Sequence, residues 1–156
     1  LFLPQLLMSA EAAKAAFEAL KAHMDAAGQP PVKKDKIILA TVKGDIHDIG
    51  KNIVKVLLEN YGYDVIDLGK DVDPALVAET ARREKVRLCG LSALMTTTVA
   101  GMEETIRALR AAAPGCRVMV GGAVMTPEYA AQIGADWYAK DAMGSVHIAQ
   151  ELFGEE

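Results

Sequence analysis

Apolar and polar positions follow two rhythms along this chain, and the change falls near residue 36. Between Pro4 and Ala27, the apolar residues Leu6, Leu7, Ala10, Ala13, Phe17, Leu20 and Met24 recur at helical spacing. That predicts one long helix or two, with a stripe that must be buried against a neighbour. Pro4 suits a first-turn position, and Ala, Leu and Lys are good helix formers. Gly28-Gln29-Pro30-Pro31 and the polar residues to Asp35 break the pattern and read as a linker. From Lys36 short apolar runs alternate with amphipathic ones. Ile37–Val42, Tyr63–Leu68, Leu88–Ser92, Arg117–Val120 and Asp136–Ala139 read as strands. Segments from about Gly50, Pro74, Val99, Pro127 and Ala142 read as the intervening helices. Five strands alternating with helices predict an α/β domain with a doubly wound, five-stranded parallel sheet. Right-handed crossovers favour the flavodoxin-like, Rossmann-like order 2-1-3-4-5. The expected organisation is a helical segment over 1–27, a linker over 28–35 and the α/β domain over 36–156.

Composition narrows the partners. The chain has 156 residues, 51% of them hydrophobic and 24% charged, enough for one domain with a real core. The net charge of -4, without a block of Lys or Arg, argues against nucleic acid and anionic membrane. No apolar run reaches the length of a membrane span, and Leu1-Phe2-Leu3-Pro4 lacks the features of a signal peptide. The chain begins without Met, inside an expected helix, and so reads as a piece of something longer. Cys89 and Cys116 lie in apolar strand-like runs, which suggests buried reduced thiols and a cytoplasmic setting.

The candidate chemistry lies in the loop after the first strand, Lys43-Gly44-Asp45-Ile46-His47-Asp48-Ile49-Gly50-Lys51-Asn52. Open α/β sheets bind ligands at the carboxyl ends of their strands. The order 2-1-3-4-5 brings this loop beside Ser92–Thr98, which follows the third strand. A carboxylate such as Asp45 that holds one imidazole nitrogen of His47 leaves the other free for a metal. No further His or Cys lies nearby to complete a metal shell, so the remaining ligands would come with a cofactor. Asp48 suits the cap of the first helix, and Thr96, Thr97 and Thr98 suit the cap of the third. Asp141 suits the cap of the fifth. Gly121-Gly122 after the fourth strand permits a close backbone approach. His23 and His147 read as structural or surface residues.

Asp45-x-His47-x-x-Gly50, Ser92-x-Leu94 and Gly121-Gly122 together resemble the signature of cobalamin-binding domains of corrinoid methyltransferases. The likeness to the cobalamin module of methionine synthase covers nearly the whole chain, Phe2-Leu3-Pro4-Gln5 and Thr41–Asn52 included. The resemblance implies cobalamin as cofactor, cycling through methylcobalamin, cob(I)alamin and cob(II)alamin forms. It implies His47 as axial ligand to cobalt, with Asp45 and Thr98 completing a relay that tunes it. Family Ser commonly stands where Thr98 does. It implies cofactor contacts from Gly44, Ile46, Asp48, Ile49, Gly50, Ser92, Leu94, Thr96, Gly121 and Gly122. Ala139 and Asp141 join them on the last loop. The displaced nucleotide tail would thread beside Ser92 and the glycine pair. Residues 1–27 would form a partial helical cap over the corrin, with Leu3 shielding the methyl group. Methyl would pass from methyltetrahydrofolate to homocysteine, in methionine biosynthesis, with donor, acceptor and reductive reactivation partners on other domains or chains.

Two alternatives share these motifs. One is a stand-alone corrinoid protein of methylamine or methanol metabolism. The other, from a different class, is a non-catalytic cobalamin sensor or store. A carbon-skeleton mutase fits less well, because it needs a barrel domain. Phosphate-binding readings fail on the residues: the first loop has neither Gly-x-Gly-x-x-Gly nor a Walker Gly-Lys-Ser/Thr.

Overall fold

The computed structural model describes residues 35–153. The expected cap over 1–27, its Leu3, and the linker through residue 34 lie outside the described residues. Five strands form one parallel sheet: β1 (Lys36–Val42), β2 (Asp64–Val72), β3 (Leu88–Ser92), β4 (Arg117–Gly121) and β5 (Trp137–Tyr138). Their order is β2-β1-β3-β4-β5, the doubly wound arrangement expected from the sequence. Helices α1 (Ile49–Asn60), α2 (Pro74–Glu84), α3 (Val99–Ala112) and α4 (Pro127–Gln132) fill the crossovers, and α5 (Ala142–Phe153) follows the last strand.

Both faces of the sheet are covered, which explains the continuous apolar runs in the strands. On β1, Ile37 and Leu39 pack with Leu58, Met119, Val146 and Ala149, the layer of α1 and α5. Ile38, Ala40 and Val42 pack the other way, with Val77, Met102, Ile106 and Leu109 of α2 and α3. Helix starts follow local chemistry. Asp73 accepts the Ala75 amide at 2.9 Å ahead of Pro74, and Thr126 accepts the Tyr129 amide at 3.1 Å ahead of Pro127. Cys89 and Cys116 are free and buried, as expected. Burial pushes both thiols up, Cys116 to about 12, so neither is a ready nucleophile.

Three local expectations change. β2 does not stop at Leu68 but runs on to Val72 through two register slips against β1. Gly69 and Asp71 look like turn residues in the sequence; here they make bulges inside an edge strand. β5 shrinks to Trp137–Tyr138 because Asp136 is engaged by its side chain, accepting the Val118 amide at 2.8 Å and Arg110 at 2.9 Å. The third change is at the caps: Asp48 and Thr98 occupy cap positions but make no side-chain cap bond. Thr98 is drawn off to another partner.

Candidate functional site

The site forms where β1 and β3 end side by side. β1 enters a turn closed by the Asp45 amide on the Val42 carbonyl at 3.0 Å. Gly44 takes φ +89 within it, a conformation costly for a side chain. The turn drops Asp45 into a fully buried position and leaves His47 exposed. Asp45 Oδ1 accepts both the His47 amide at 3.0 Å and His47 Nδ1 at 2.7 Å. Oδ2 accepts the Leu94 amide at 2.7 Å and the Thr98 hydroxyl at 2.9 Å. The Thr98 proton has a second acceptor in the Met95 carbonyl at 2.8 Å. The ionised carboxylate is the stronger of the two.

Burial by itself would raise the Asp45 carboxyl. The amides of Leu94 and His47, with the His47 ring and the Thr98 hydroxyl, outweigh it and hold the group far below the usual carboxylate range. Asp45 is therefore an anion wedged between two loops 49 residues apart in sequence. With that anion on Nδ1, the imidazole carries its proton there and presents Nε2 as a lone pair. The His47 side chain keeps 46% of its surface open, so this lone pair can be approached from outside. A base held this way is a one-point metal ligand. Among the described residues, no group of three His, Cys, Asp or Glu could hold a metal ion.

Around His47 the surface is unusually apolar. Ile46 is 64% exposed, and Ile49, Leu94 and Met95 are exposed as well. Large aliphatic side chains held open around an exposed imidazole make a platform for a broad apolar ligand. Beside the platform a cavity of about 520 Å³ runs between the sheet and the helices α1 and α5. Gly50, Ser92, Gly121, Gly122, Ala139 and Asp141 all line it. Its floor lies over Gly90, which lacks a side chain between Leu39 and Met119 on the flanking strands.

The structure thus brings Asp45, His47 and Thr98 into one bonded network, and places Gly50, Ser92, Gly121, Gly122, Ala139 and Asp141 in one groove. Ile46, Ile49 and Leu94 stand on the platform between them. Gly44 shapes the turn, and Asp48 is half-buried at the start of α1. Thr96 is exposed on the short turn before α3, outside the Asp45 network. Asp141 caps α5 as expected, accepting the Gly144 amide at 2.8 Å, while also lining the groove. His147 is exposed on α5. Sequence reasoning missed Met95, and it missed the groove residues Lys51, Ala123 and Ser145. Lys51 is buried against Asp67 at 2.5 Å, a contact that only the fold creates. An i, i+3, i+4 count from Gly50 along α1 and from Ala142 along α5 finds the groove-facing side of these helices, but nothing in the chain announces the Leu94 amide as an Asp45 donor.

Comparison with known proteins gives this geometry its context. The B12 binding domain family matches residues 35–146. Dimethylamine corrinoid protein 2 of Methanosarcina mazei is 44% identical over 154 residues, covering 97% of this chain and 72% of that protein. The structure of the Methanosarcina barkeri monomethylamine corrinoid protein superposes with a TM-score of 0.80 at 32% identity, over 97% of this chain and 72% of that one. The methanol:cobalamin methyltransferase complex of the same organism gives 0.76 at 31% identity, over 100% of this chain and 59% of that one.

Proposed function

This chain belongs to the B12-binding domain family, and from that premise we propose that it is the methyl-carrying corrinoid protein of a methylamine methyltransferase system. It binds cobalamin, and its relatives are corrinoid proteins of methyltransferase systems. Methionine synthase and methionine biosynthesis, the first expectation from the sequence, find no support among the relatives named; the stand-alone corrinoid protein does. Dimethylamine is the favoured methyl source, because that is the amine in the name of a relative 44% identical to this chain. A second reading, methanol as source, is supported by the fold shared with the methanol:cobalamin complex.

The observation that carries the proposal is the exposed His47, fixed through Nδ1 by a buried carboxylate and, among the described residues, without a hydrogen-bond partner at Nε2. The residues present fit the cofactor. The apolar rim of Ile46, Ile49, Leu94 and Met95 suits a broad macrocycle, and the groove beside it suits a nucleotide tail. When bound, cobalamin supplies a cobalt centre that accepts and releases a methyl group. This chain supplies the rest. His47 Nε2 would ligate the cobalt, Asp45 would keep the imidazole in the ligating tautomer, and Thr98 would hold Asp45 in place. Ser92, Gly121 and Gly122 would line the tail. Substrate chemistry is left to partner methyltransferases.

The test supplies reduced, cobalamin-loaded protein with dimethylamine and a dimethylamine methyltransferase. Methylcobalamin absorbance should grow with dimethylamine and not with methyltetrahydrofolate. Loading from methyltetrahydrofolate and discharge to homocysteine, each with its matching domain, would restore the methionine synthase reading.

A further inference from the structure

The loop that carries His47 is held from a side that the cofactor signature does not include. β2 pairs with β1 from Lys36↔Asp64, but Ala40 faces Gly69 and Val42 faces Val72. The edge strand has therefore gained two residues on its neighbour by its end. The second slip turns Asp71 out of regular extended backbone, to φ +53. That left-handed conformation is one a residue with a side chain rarely adopts. Here it forms a two-point clasp. Its amide donates to the Asp45 carbonyl at 2.9 Å, and its Oδ1 accepts the Gly44 amide at 2.7 Å.

We propose that Asp71 is a positioning residue for the axial ligand, clasping the Gly44–Asp45 backbone so that His47 Nε2 stands at ligating reach. The role presupposes the reading of His47 as cobalt ligand. Two independent anchors then meet at Asp45. The Leu94 amide and the Thr98 hydroxyl fix its carboxylate from the β3 side. The β2 bulge fixes its main chain from the opposite side of β1. With both ends of Asp45 fixed, the imidazole bonded to its Oδ1 has little freedom left. Residue choice agrees with this function. Gly, Asn and Asp tolerate a left-handed backbone most readily, and of these only Asp and Asn offer Gly44 a side-chain acceptor. A conserved shape with no acceptor is what Gly would give. Bulges that re-aim residues beside a site are a common use of edge strands.

The experiment compares Asp71→Gly and Asp71→Asn with the parent protein, each loaded with cobalamin and reduced to cobalt(II). Glycine keeps the backbone conformation and the amide half of the clasp, and loses only the carboxylate. Electron spin resonance reads the fraction of cobalt coordinated by protein nitrogen, and thermal melting reads the fold. Asp71→Gly should lower the ligation constant about 10-fold, within the range seen for groups that orient a metal ligand, with little change in melting temperature. Asp71→Asn should restore it. Unchanged nitrogen coupling in Asp71→Gly overturns the proposal, and so does an Asn variant as weak as the Gly one. Absence of protein-nitrogen coupling in the parent would overturn the ligand reading itself, and this inference with it.

Discussion

Gly122→Ala should destabilise the fold by about 3 kcal/mol or more, and lower its melting temperature by roughly 10 °C. Gly122 sits at φ +119, and a Cβ there would overlap the Ala93 carbonyl and stand 3.0 Å from the Ala93 nitrogen. Both sides of that contact are main chain, so no side chain can swing away. The Ala93 amide is itself bonded to the Gly121 carbonyl at 3.2 Å, which fixes the approach. The next residue, Leu94, donates its amide to Asp45. Displacing Ala93 therefore reaches the His47 network, and cobalamin affinity should fall together with stability. Gly50→Ala makes the contrast. A Cβ at Gly50 meets nothing within 4 Å, and the residue lies in α1. Alanine there should hold or raise the melting temperature, by up to about 1 kcal/mol of helix propensity. Yet Gly50 lines the groove, so its Cβ should weaken cobalamin binding. Melting curves and cobalamin titrations on the two variants separate a glycine the backbone needs from a glycine the ligand needs. Equal melting temperatures for Gly122→Ala and the parent would show that the Ala93 contact relaxes freely.

Asp45→Asn should be the most damaging change of a single functional group. The substitution keeps the shape but replaces one acceptor oxygen by an NH2 donor. Oδ1 and Oδ2 each face two donors, so either orientation of the amide sets donor against donor in a fully buried place. Leaving buried hydrogen-bonding groups unmatched costs about 2–4 kcal/mol here. The neutral side chain also ceases to hold the ligating tautomer, and cobalamin affinity should drop by about 10–100-fold. Acid behaviour gives a separate check. The Asp45 carboxyl lies below its unfolded value, so its stabilisation is present above the ordinary carboxylate range. It is lost as pH falls from there toward the folded value. Asp45→Asn should therefore be less stable than the parent at neutral pH, with the gap narrowing in acid. A constant gap from neutral pH into strong acid would mean that the charge of Asp45 contributes nothing.

Much of this architecture was legible because each strand is buried on both faces. Ile37–Val42 and Leu88–Ser92 read as unbroken apolar runs, and the parallel order follows from handed crossovers. β2 was misjudged at its end because Gly69 and Asp71 carry turn chemistry. In an edge strand the same chemistry makes bulges, and tertiary pairing decides between the two. Asp45 and His47 were legible as a pair since only Ile46 stands between them, a local relation that survives in one dimension. The partnership with Thr98 came from resemblance alone, for it lies 53 positions from Asp45 and only the adjacency of β1 and β3 closes the gap. Gly121-Gly122 reads in the sequence as room for a ligand. Both glycines line the groove, and the stronger demand on Gly122 is the main chain of Ala93. Donors without a side-chain identity, such as the Leu94 amide, leave no mark in a sequence. Neither does the Asp71 clasp, whose partner Gly44 was noticed only as part of a motif.

The central claim is that His47 coordinates cobalt through Nε2. Protein labelled with nitrogen-15 histidine, loaded with cobalamin and reduced to cobalt(II), tests it in one spectrum. The superhyperfine pattern should change from triplets to doublets on labelling, because a protein imidazole and not the cofactor's own base is bound. The doublets should vanish in His47→Gly, which retains the groove for the tail. Triplets that persist in the labelled protein, or doublets that survive in His47→Gly, would contradict the account.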